Sequence, residues 1–326
     1  MRIACLQFSP TLGAVQSNIT RANTLLSTSS PRLQNIDLLV LPELAFAGYN
    51  FPSLTAISPH LEPTSAGPST TWALATARRL NCVVSVGYPE IANGPTRRYN
   101  STVTVSPTGT ILAHYRKSFL YYTDSTWASE GPSGFWSGSL PLPSPPLQAT
   151  NTTTNPLDHS DANRKPITPS PQSEPSIPTA MGICMDLNPH AFTAPWTAYE
   201  FATHVLSTRS SLVILSMAWL TRLAASDLVA KASEPDLETF AYWLERLGPV
   251  VEKGEGREGE TVIVLANRSG SEPGAMGTEE ARYAGSSTVL GIADGRVRVF
   301  GILGKAEEGV LVVDTSEEAP MEVRSG

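Results

Sequence analysis

Glu43 is the first of three residues in this chain whose types and surroundings suit acid–base or nucleophilic chemistry. It ends the segment DLLVLPE, where an apolar strand is expected to emerge from a sheet. Ligand sites of α/β sheets lie at such strand ends. Partial burial there would raise the pKa of the carboxyl group toward neutrality, as a general base requires. The alternative is a carboxylate that caps a helix or lies at the rim of the sheet.

Lys117 and Cys184 are the other two. Lys117 follows a hairpin strand in HYRKSF, where its ammonium could stabilise an oxyanion. Lysines are usually solvated surface charges, and Arg116 beside it is an equally good surface candidate. Cys184, in MGICMDLN, ends a strand and precedes a polar turn. Helix N-terminal N–H groups and a nearby ammonium would lower the pKa of its thiol. Cys5 and Cys82 lie within apolar strand patterns, which predicts core packing.

The composition indicates a globular protein and excludes several classes. The chain has 326 residues, 41% of them hydrophobic, and a formal charge of −7 with no basic cluster, so neither nucleic acid nor a membrane is an expected partner. Three cysteines without CxxC spacing argue against a disulfide framework, and scattered histidines argue against a zinc site. We therefore expect no metal or other cofactor. The first residues resemble a strand more than a secretory signal, which favours a cytoplasmic location.

Strand-like runs alternate with helix-length segments along the chain, and this rhythm predicts an α/β fold. Helices are expected near residues 17–29, 69–80, 196–207 and 235–250. Turns at 107–109 and 293–295 predict two hairpins.

The segment from Ser137 to Ala180 breaks this pattern. Ten of its 44 residues are proline, and most others are small and polar, so little apolar surface is available to order it. We interpret 137–180 as a flexible surface insertion within a single domain that spans residues 1–326.

The order and surroundings of Glu43, Lys117 and Cys184 resemble the Glu-Lys-Cys triad of the nitrilase superfamily, the carbon-nitrogen hydrolases. The resemblance extends to IACLQFSPTLGAVQSNI, YNSTVTVSPTGTILAHYRK and the late stretch NRSGSEPGAMGTEEARYAGSSTVLGIADG. It implies a four-layer α-β-β-α sandwich, here with a long proline-rich insertion.

Within the superfamily, LPELAFAGYNF and GICMDLNPHAFTAPWTAYEFA look most like the fungal protein N-terminal amidases. That resemblance implies hydrolysis of the side-chain carboxamide of an N-terminal Asn or Gln, giving Asp or Glu and ammonia for the N-degron pathway. One alternative is an amidase for a small omega-amide or carbamoyl compound. Another is a scaffold without catalytic activity whose proline-rich loop binds partners.

By the same resemblance, Cys184 attacks the carboxamide carbon, and Lys117 with the backbone N–H of Met185 stabilises the oxyanion. Glu43 transfers the protons. Family members carry a second glutamate that orients the lysine; Glu130 is the candidate for this role, and Asp124 is its rival.

A protein N-terminus as substrate requires an acid for the α-ammonium group and a walled cavity for the side chain. Asp124 and Asp186 are the candidates for the acid, although a turn-stabilising role is also open for Asp186. Aromatic side chains near the site that could form the cavity wall are Tyr49, Tyr122, Trp127 and Trp219. A homodimer is a further expectation from the resemblance.

Overall fold

The strands and helices follow the alternation of apolar and polar segments along the chain. The computed structural model describes residues 1–92, 94, 96–142, 176–252, 259–274 and 280–324. The strands are β1 (Arg2–Gln7), β2 (Leu38–Val40), β3 (Glu62–Pro63), β4 (Val83–Ile91), β5 (Arg98–Val105), β6 (Ile111–Arg116), β7 (Trp136–Pro141), β8 (Ser176–Ile183), β9 (Leu212–Met217), β10 (Thr261–Asn267), β11 (Ser271–Glu272), β12 (Ala281–Arg282), β13 (Thr288–Ala293), β14 (Arg296–Ile302), β15 (Gly309–Asp314) and β16 (Met321–Arg324). The helices are α1 (Val15–Thr28), α2 (Leu54–Ile57), α3 (Pro68–Leu80), α4 (Glu200–Ser207), α5 (Ala225–Ala230), α6 (Leu237–Arg246) and α7 (Gly248–Glu252).

Two seven-stranded sheets form the centre of the fold. The first has the order β15-β1-β2-β4-β5-β6, with β3 paired to β4, and the second has the order β16-β14-β13-β10-β9-β8-β7. Strands β1, β2 and β4 are parallel to one another, and so are β8, β9 and β10. Each sheet therefore has parallel strands whose carboxyl ends are suited to hold a ligand site.

Alternation of side chains along the first sheet separates two hydrophobic layers. Ile3 and Cys5 of β1 pack in the cluster shared with the second sheet, whereas Ala4 and Leu6 pack with α1 and α3. Successive side chains of a strand point to opposite faces, so one strand contributes to both layers. Phe201 of α4 packs in the same cluster as the second sheet. The arrangement is the α-β-β-α sandwich that the sequence predicts, and Cys5 is a buried core residue as expected.

The predicted helices and hairpins are present, with changes at their ends. Strand β5 pairs with β6 and β13 with β14, which confirms both hairpins. The helix predicted near 235–250 is two helices that meet at Leu247, because Pro249 lacks the N–H that a continuing helix would use. Across the described ranges, no helix combines the length and the apolar character needed to cross a membrane.

The predicted insertion at 137–180 has ordered ends. Strands β7 and β8 pair in antiparallel register, with Ser137 opposite Ala180 and Leu140 opposite Ile177. Leu140 and Ala180 are buried, so these ends belong to the second sheet and the predicted boundaries are corrected inward. Residues 143–175 lie outside the described residues, and the assignment of the whole chain to one domain stays a prediction.

Candidate active site

Glu43 lies in a tight turn between the two sheets. The turn follows β2, and the backbone N–H of Glu43 donates to the carbonyl of Met217 at 3.3 Å. Leu44 has a φ of 44°, a left-handed conformation that bends the chain sharply. A Cβ at Gly87 of β4 would lie 2.7 Å from the Leu44 nitrogen and 2.8 Å from the Glu43 Cα. The absence of a side chain at Gly87 therefore lets the Glu43 turn lie directly against the sheet.

Lys117 forms two buried ion pairs. Its Nζ lies 2.6 Å from Glu43 Oε1 and 2.6 Å from Asp124 Oδ2, and the three side chains have no exposed surface. Burial alone would lower the pKa of Lys117, but the carboxylates of Asp124 and Glu43 outweigh burial and raise it. Lys117 is therefore a buried ammonium that stays charged at neutral pH.

Asn100 is a member of this cluster that the sequence analysis missed. Its Nδ2 donates to Glu43 Oε1 at 2.6 Å and to Asp124 Oδ1 at 3.0 Å. Its backbone carbonyl accepts the N–H of Lys117 at 2.8 Å, so the two residues are cross-strand neighbours where β5 and β6 meet. The sequence did carry a signal for Asn100, because it is a polar residue within β5, the buried strand that pairs with β6, and Lys117 follows β6.

The carboxyl group of Glu43 has one anchored and one free oxygen. Oε1 accepts from Lys117 and Asn100, whereas Oε2 is buried and has no hydrogen-bond partner among the described residues. Burial raises the pKa of Glu43 to about 6, although the charge of Lys117 opposes the increase. A carboxylate with this pKa and a free oxygen can accept a proton near neutral pH.

Cys184 lies at the carboxyl end of β8, at the start of a short 3-10 turn, with a φ of 42°. A positive φ in a residue other than glycine is a strained conformation of the kind found at functional sites. The side chain is 8% exposed and lines a cavity of about 630 Å³. The backbone N–H of Ala218 hydrogen-bonds to the sulfur.

The thiol of Cys184 does not have the lowered pKa that the sequence analysis expected. Burial and the charge of Glu43 raise the pKa well above its ordinary value, and the opposing effect of Lys117 is smaller. The sulfur is therefore protonated at neutral pH, and its proton has to leave as the sulfur reacts.

The cavity beside Cys184 is walled by several of the expected residues. Tyr49, Met185 and Trp219 line it. Trp127 is not one of the lining residues, and it packs in a buried cluster with Leu44. Four further lining residues carry rings or amide groups and were not predicted from the sequence; they are Tyr121, Asn188, Phe192 and Tyr242. Tyr122, the expected neighbour, is 69% exposed and lies against Phe192.

Glu130 does not orient the lysine. Its side chain is half-exposed and lies 2.8 Å from Nε2 of His190. The acid beside Lys117 is Asp124, which enters the interior from the 3-10 turn Asp124–Thr126. Asp124 also accepts the N–H of Tyr121 at 3.0 Å, so its oxygens are engaged within the protein. Asp124 therefore takes the position expected of Glu130, and it is not placed to bind a substrate amino group.

Asp186 is a structural carboxylate as well. Its Oδ1 accepts the N–H groups of Ser118 and Phe119, and its Oδ2 accepts from Tyr115 and from the N–H of Ile183. The side chain is fully buried, and burial raises its pKa to about 6. These bonds join the turn that carries Cys184 to the turn that follows Lys117. The expectation that Asp186 binds the substrate amine is therefore corrected.

The fold and the cluster of carboxylate, ammonium and thiol define a hydrolase that acts on carbon–nitrogen bonds. Residues 2–166 match the carbon-nitrogen hydrolase family, and the chain belongs to this family. The described residues contain no group of three His, Cys, Asp or Glu side chains that could hold a metal ion.

Within the family, the chain is similar to protein N-terminal amidases. It is 32% identical to the protein N-terminal amidase of Schizosaccharomyces pombe over 331 residues, which cover 96% of this chain and 98% of that protein. Crystal structures of an N-terminal amidase with a Gln-Gly peptide and with an Asn-Glu peptide superpose with TM-scores of 0.77 and 0.78 at 20% identity. The first match covers 96% of both chains, and the second covers 100% of this chain and 99% of the other. These two structures support the fold.

Proposed function

We propose that this protein deamidates the side chain of an N-terminal Asn or Gln in peptides and proteins, giving Asp or Glu and ammonia. The observation that carries the proposal is the position of Cys184, whose sulfur lines the cavity and interacts with the charges of Glu43 and Lys117. A nucleophile, a base and a fixed ammonium are the groups that hydrolysis of an amide through a thioester needs. Similarity over nearly the whole chain to a protein N-terminal amidase supports the substrate class.

In the first half of the reaction, the sulfur of Cys184 bonds to the carboxamide carbon while Glu43 takes the thiol proton on Oε2. Proton transfer accompanies the attack because the pKa of the free thiol is raised. The negative charge that develops on the carboxamide oxygen is stabilised by Lys117 and by the N–H of Met185. Met185 is the second residue of the turn that Cys184 begins, and N–H groups at the start of a helical turn have no acceptor within it. The carbon–nitrogen bond then breaks, Glu43 returns the proton to the departing nitrogen, and ammonia leaves a thioester behind.

In the second half, water attacks the thioester carbon and gives its proton to Glu43. The carbon–sulfur bond breaks, the carboxylic acid is released, and the sulfur of Cys184 recovers its proton. Glu43 acts as base and acid in turn, which its pKa of about 6 permits near neutral pH. The carboxylate of Asp124 keeps Lys117 charged and in place throughout.

The walls of the cavity suit a positively charged N-terminus. Its volume of about 630 Å³ holds an amino acid and part of the following chain. Three acids line it, Asp236, Glu238 and Glu245, against one base, Arg222. We propose that this excess of negative charge, in place of Asp124 or Asp186, attracts the α-ammonium group.

Ammonia release from a set of matched peptides tests the proposal. We expect turnover of peptides that begin with Asn or Gln, and loss of turnover when the same peptides are N-acetylated. Cys184→Ser is the inactive control. Equal turnover of the acetylated peptides would contradict recognition of the amino group and would favour an amidase for small amides. Absence of any selective labelling of Cys184 by iodoacetamide at neutral pH would instead favour a scaffold without catalytic activity.

We further propose a cytoplasmic location and a role in the N-degron pathway. A reducing compartment keeps a cysteine nucleophile in the thiol form, which supports the location. Cell fractionation and the half-life of reporter proteins that begin with Asn would test both. The homodimer stays a prediction.

A further inference from the structure

The two oxygens of the Glu43 carboxyl group differ in their hydrogen bonds, and the side chain of Glu43 cannot by itself determine which oxygen faces which neighbour. The terminal torsion of a glutamate side chain is broad and roughly two-fold, so either oxygen can face either way. Oε1 accepts both hydrogen bonds and Oε2 accepts none from the described residues. Some neighbour therefore fixes the plane of the carboxyl group.

Lys117 is a poor candidate for fixing that plane. An ammonium has three donors that rotate about a flexible stem and behaves as a point charge. The amide of Asn100 is planar, and its two N–H groups point in fixed directions. One of them meets Glu43 Oε1 at 2.6 Å and the other meets Asp124 Oδ1 at 3.0 Å.

We propose that Asn100 is a positioning residue for the reaction: its amide fixes the plane of the Glu43 carboxyl group, so that Oε1 stays anchored and Oε2 stays free to take the thiol proton. This inference rests on the proposed catalytic role of Glu43. Asn100 does not line the cavity, and its amide bonds to Glu43 and Asp124, so it acts on the reaction through these two carboxylates.

The unpaired oxygen of Asn100 argues against a merely structural role. Its Oδ1 is buried and accepts no hydrogen bond from the described residues, which is unfavourable for stability. The reverse orientation of the amide would turn that oxygen toward two carboxylates, so the orientation is fixed by its neighbours. A residue within a buried strand that has an unpaired polar atom is typical of a functional site.

Several charged or titratable groups interact with Glu43. They are Lys117, Asp124, Cys184, Tyr49 and Tyr283. Lys117 and the Asn100 amide favour the ionised carboxylate, whereas burial and Asp124 favour the protonated form. Loss of the amide donor therefore raises the pKa of Glu43, and an added carboxylate raises it further.

The test is Asn100→Asp, which has the same shape and replaces the donor with an acid. A base must be unprotonated to act, so kcat/KM of the wild-type protein should fall about tenfold per pH unit below its pKa of about 6. This fall is the acidic limb of the pH profile of kcat/KM. In the variant we expect the acidic limb to move to higher pH by about one unit or more, because one hydrogen-bond donor is lost and one acid is added. We also expect kcat for an Asn-initiated peptide to fall by about 10²-fold with KM within about twofold, since a base contributes that much or more.

Gln7→Glu is the matched control. Gln7 is also a fully buried amide, and its bonds are with Gly304, Glu307 and Ser287, outside the Glu43 cluster. The control variant should be destabilised without a shift of the acidic limb. An unshifted limb in Asn100→Asp, with only a lower melting temperature, would overturn the proposal.

A second variant and a second readout keep the test independent of folding and of the substrate. Asn100→Ser removes the bridging amide without adding charge, and its limb should also move upward. The pH dependence of Cys184 alkylation by iodoacetamide reports the same proton transfer without any peptide. If the wild-type protein turned over no peptide, the proposed function would fail, while a shifted alkylation limb in the variants would still support Asn100 as the positioning residue. An unshifted alkylation limb in both variants would refute it.

Discussion

Arg116 and Lys117 are neighbours in the chain, yet each forms an ion pair with a different buried glutamate. Arg116 donates to both oxygens of Glu90, at 2.9 and 2.6 Å. Lys117 donates to one oxygen of Glu43 at 2.6 Å. Neither glutamate has exposed side-chain surface, although Glu90 lies nearer to solvent, since Arg116 is one-quarter exposed and Lys117 is not exposed at all.

The difference lies in how completely each carboxylate is satisfied. Besides Arg116, Glu90 accepts from Thr64, Ser101 and His114. Burial works against its charge, but these hydrogen bonds hold the pKa of Glu90 well below its ordinary value. Glu43 keeps one oxygen without a partner among the described residues, and its pKa rises to about 6. A saturated carboxylate stabilises the fold, whereas an unsaturated one is available for chemistry.

Glu43→Gln should have the largest effect. The amide keeps the shape of the side chain but cannot accept the thiol proton, so kcat should fall by about 10³-fold or more. The free energy of unfolding should also fall, by about 3 kcal/mol, because the change removes the charge that pairs with buried Lys117. Ammonia release and urea unfolding measure the two effects. Residual activity within tenfold of the wild type would show that another group is the base.

Gly87→Ala should have the next largest effect. The added Cβ would lie 2.8 Å from the Glu43 Cα and 2.7 Å from the backbone of Leu44, neither of which can move without shifting the turn. A shift of about 1 Å in a reacting group costs about 10²-fold in rate, so kcat should fall by that factor. Gly309→Ala is the control, because nothing lies within 4 Å of its Cβ position. Equal activity in the two variants would mean that the position of Glu43 tolerates the shift.

The strand ends of the site were predictable from the sequence. Glu43 and Cys184 each follow an apolar run that forms a parallel strand, β2 in the first sheet and β8 in the second, and ligand sites lie at the carboxyl ends of such strands. Lys117 directly follows β6, where its side chain reaches Glu43. The four layers of the sandwich were also predictable, because the family resemblance and the alternation of strands and helices both indicate an α/β fold.

The remaining members of the site depend on contacts that no sequence pattern carries. Asp124 and Glu130 lie in one loop after Lys117, and a single 3-10 turn directs the first inward while His190 holds the second at the surface. Asp186 looks like an acid beside the nucleophile, but N–H groups from the distant turn after Lys117 take up one of its oxygens. The raised pKa of Cys184 likewise follows from burial, which a polar turn in the sequence did not reveal.

Glu90→Gln should have the smallest effect on activity and a clear effect on stability. The change removes the charge that pairs with Arg116, whose side chain is one-quarter exposed, so we expect the free energy of unfolding to fall by about 2 kcal/mol at pH 7. Activity should stay within about twofold of the wild type, because none of the groups that bind Glu90 belongs to the cavity.

The pH dependence of this loss has a definite sign. The folded pKa of Glu90 is lowered from its ordinary value of 4.5, so its stabilising effect is complete above that pH and is lost as the pH falls toward the folded pKa. The difference between wild type and Glu90→Gln should therefore shrink as urea unfolding is repeated from pH 7 to pH 3. The raised pKa values of Glu43 and Asp186 change the stability of both proteins equally and cancel in the difference. A difference that grew on acidification would mean that Glu90 is protonated in the folded state, and its contrast with Glu43 would then disappear.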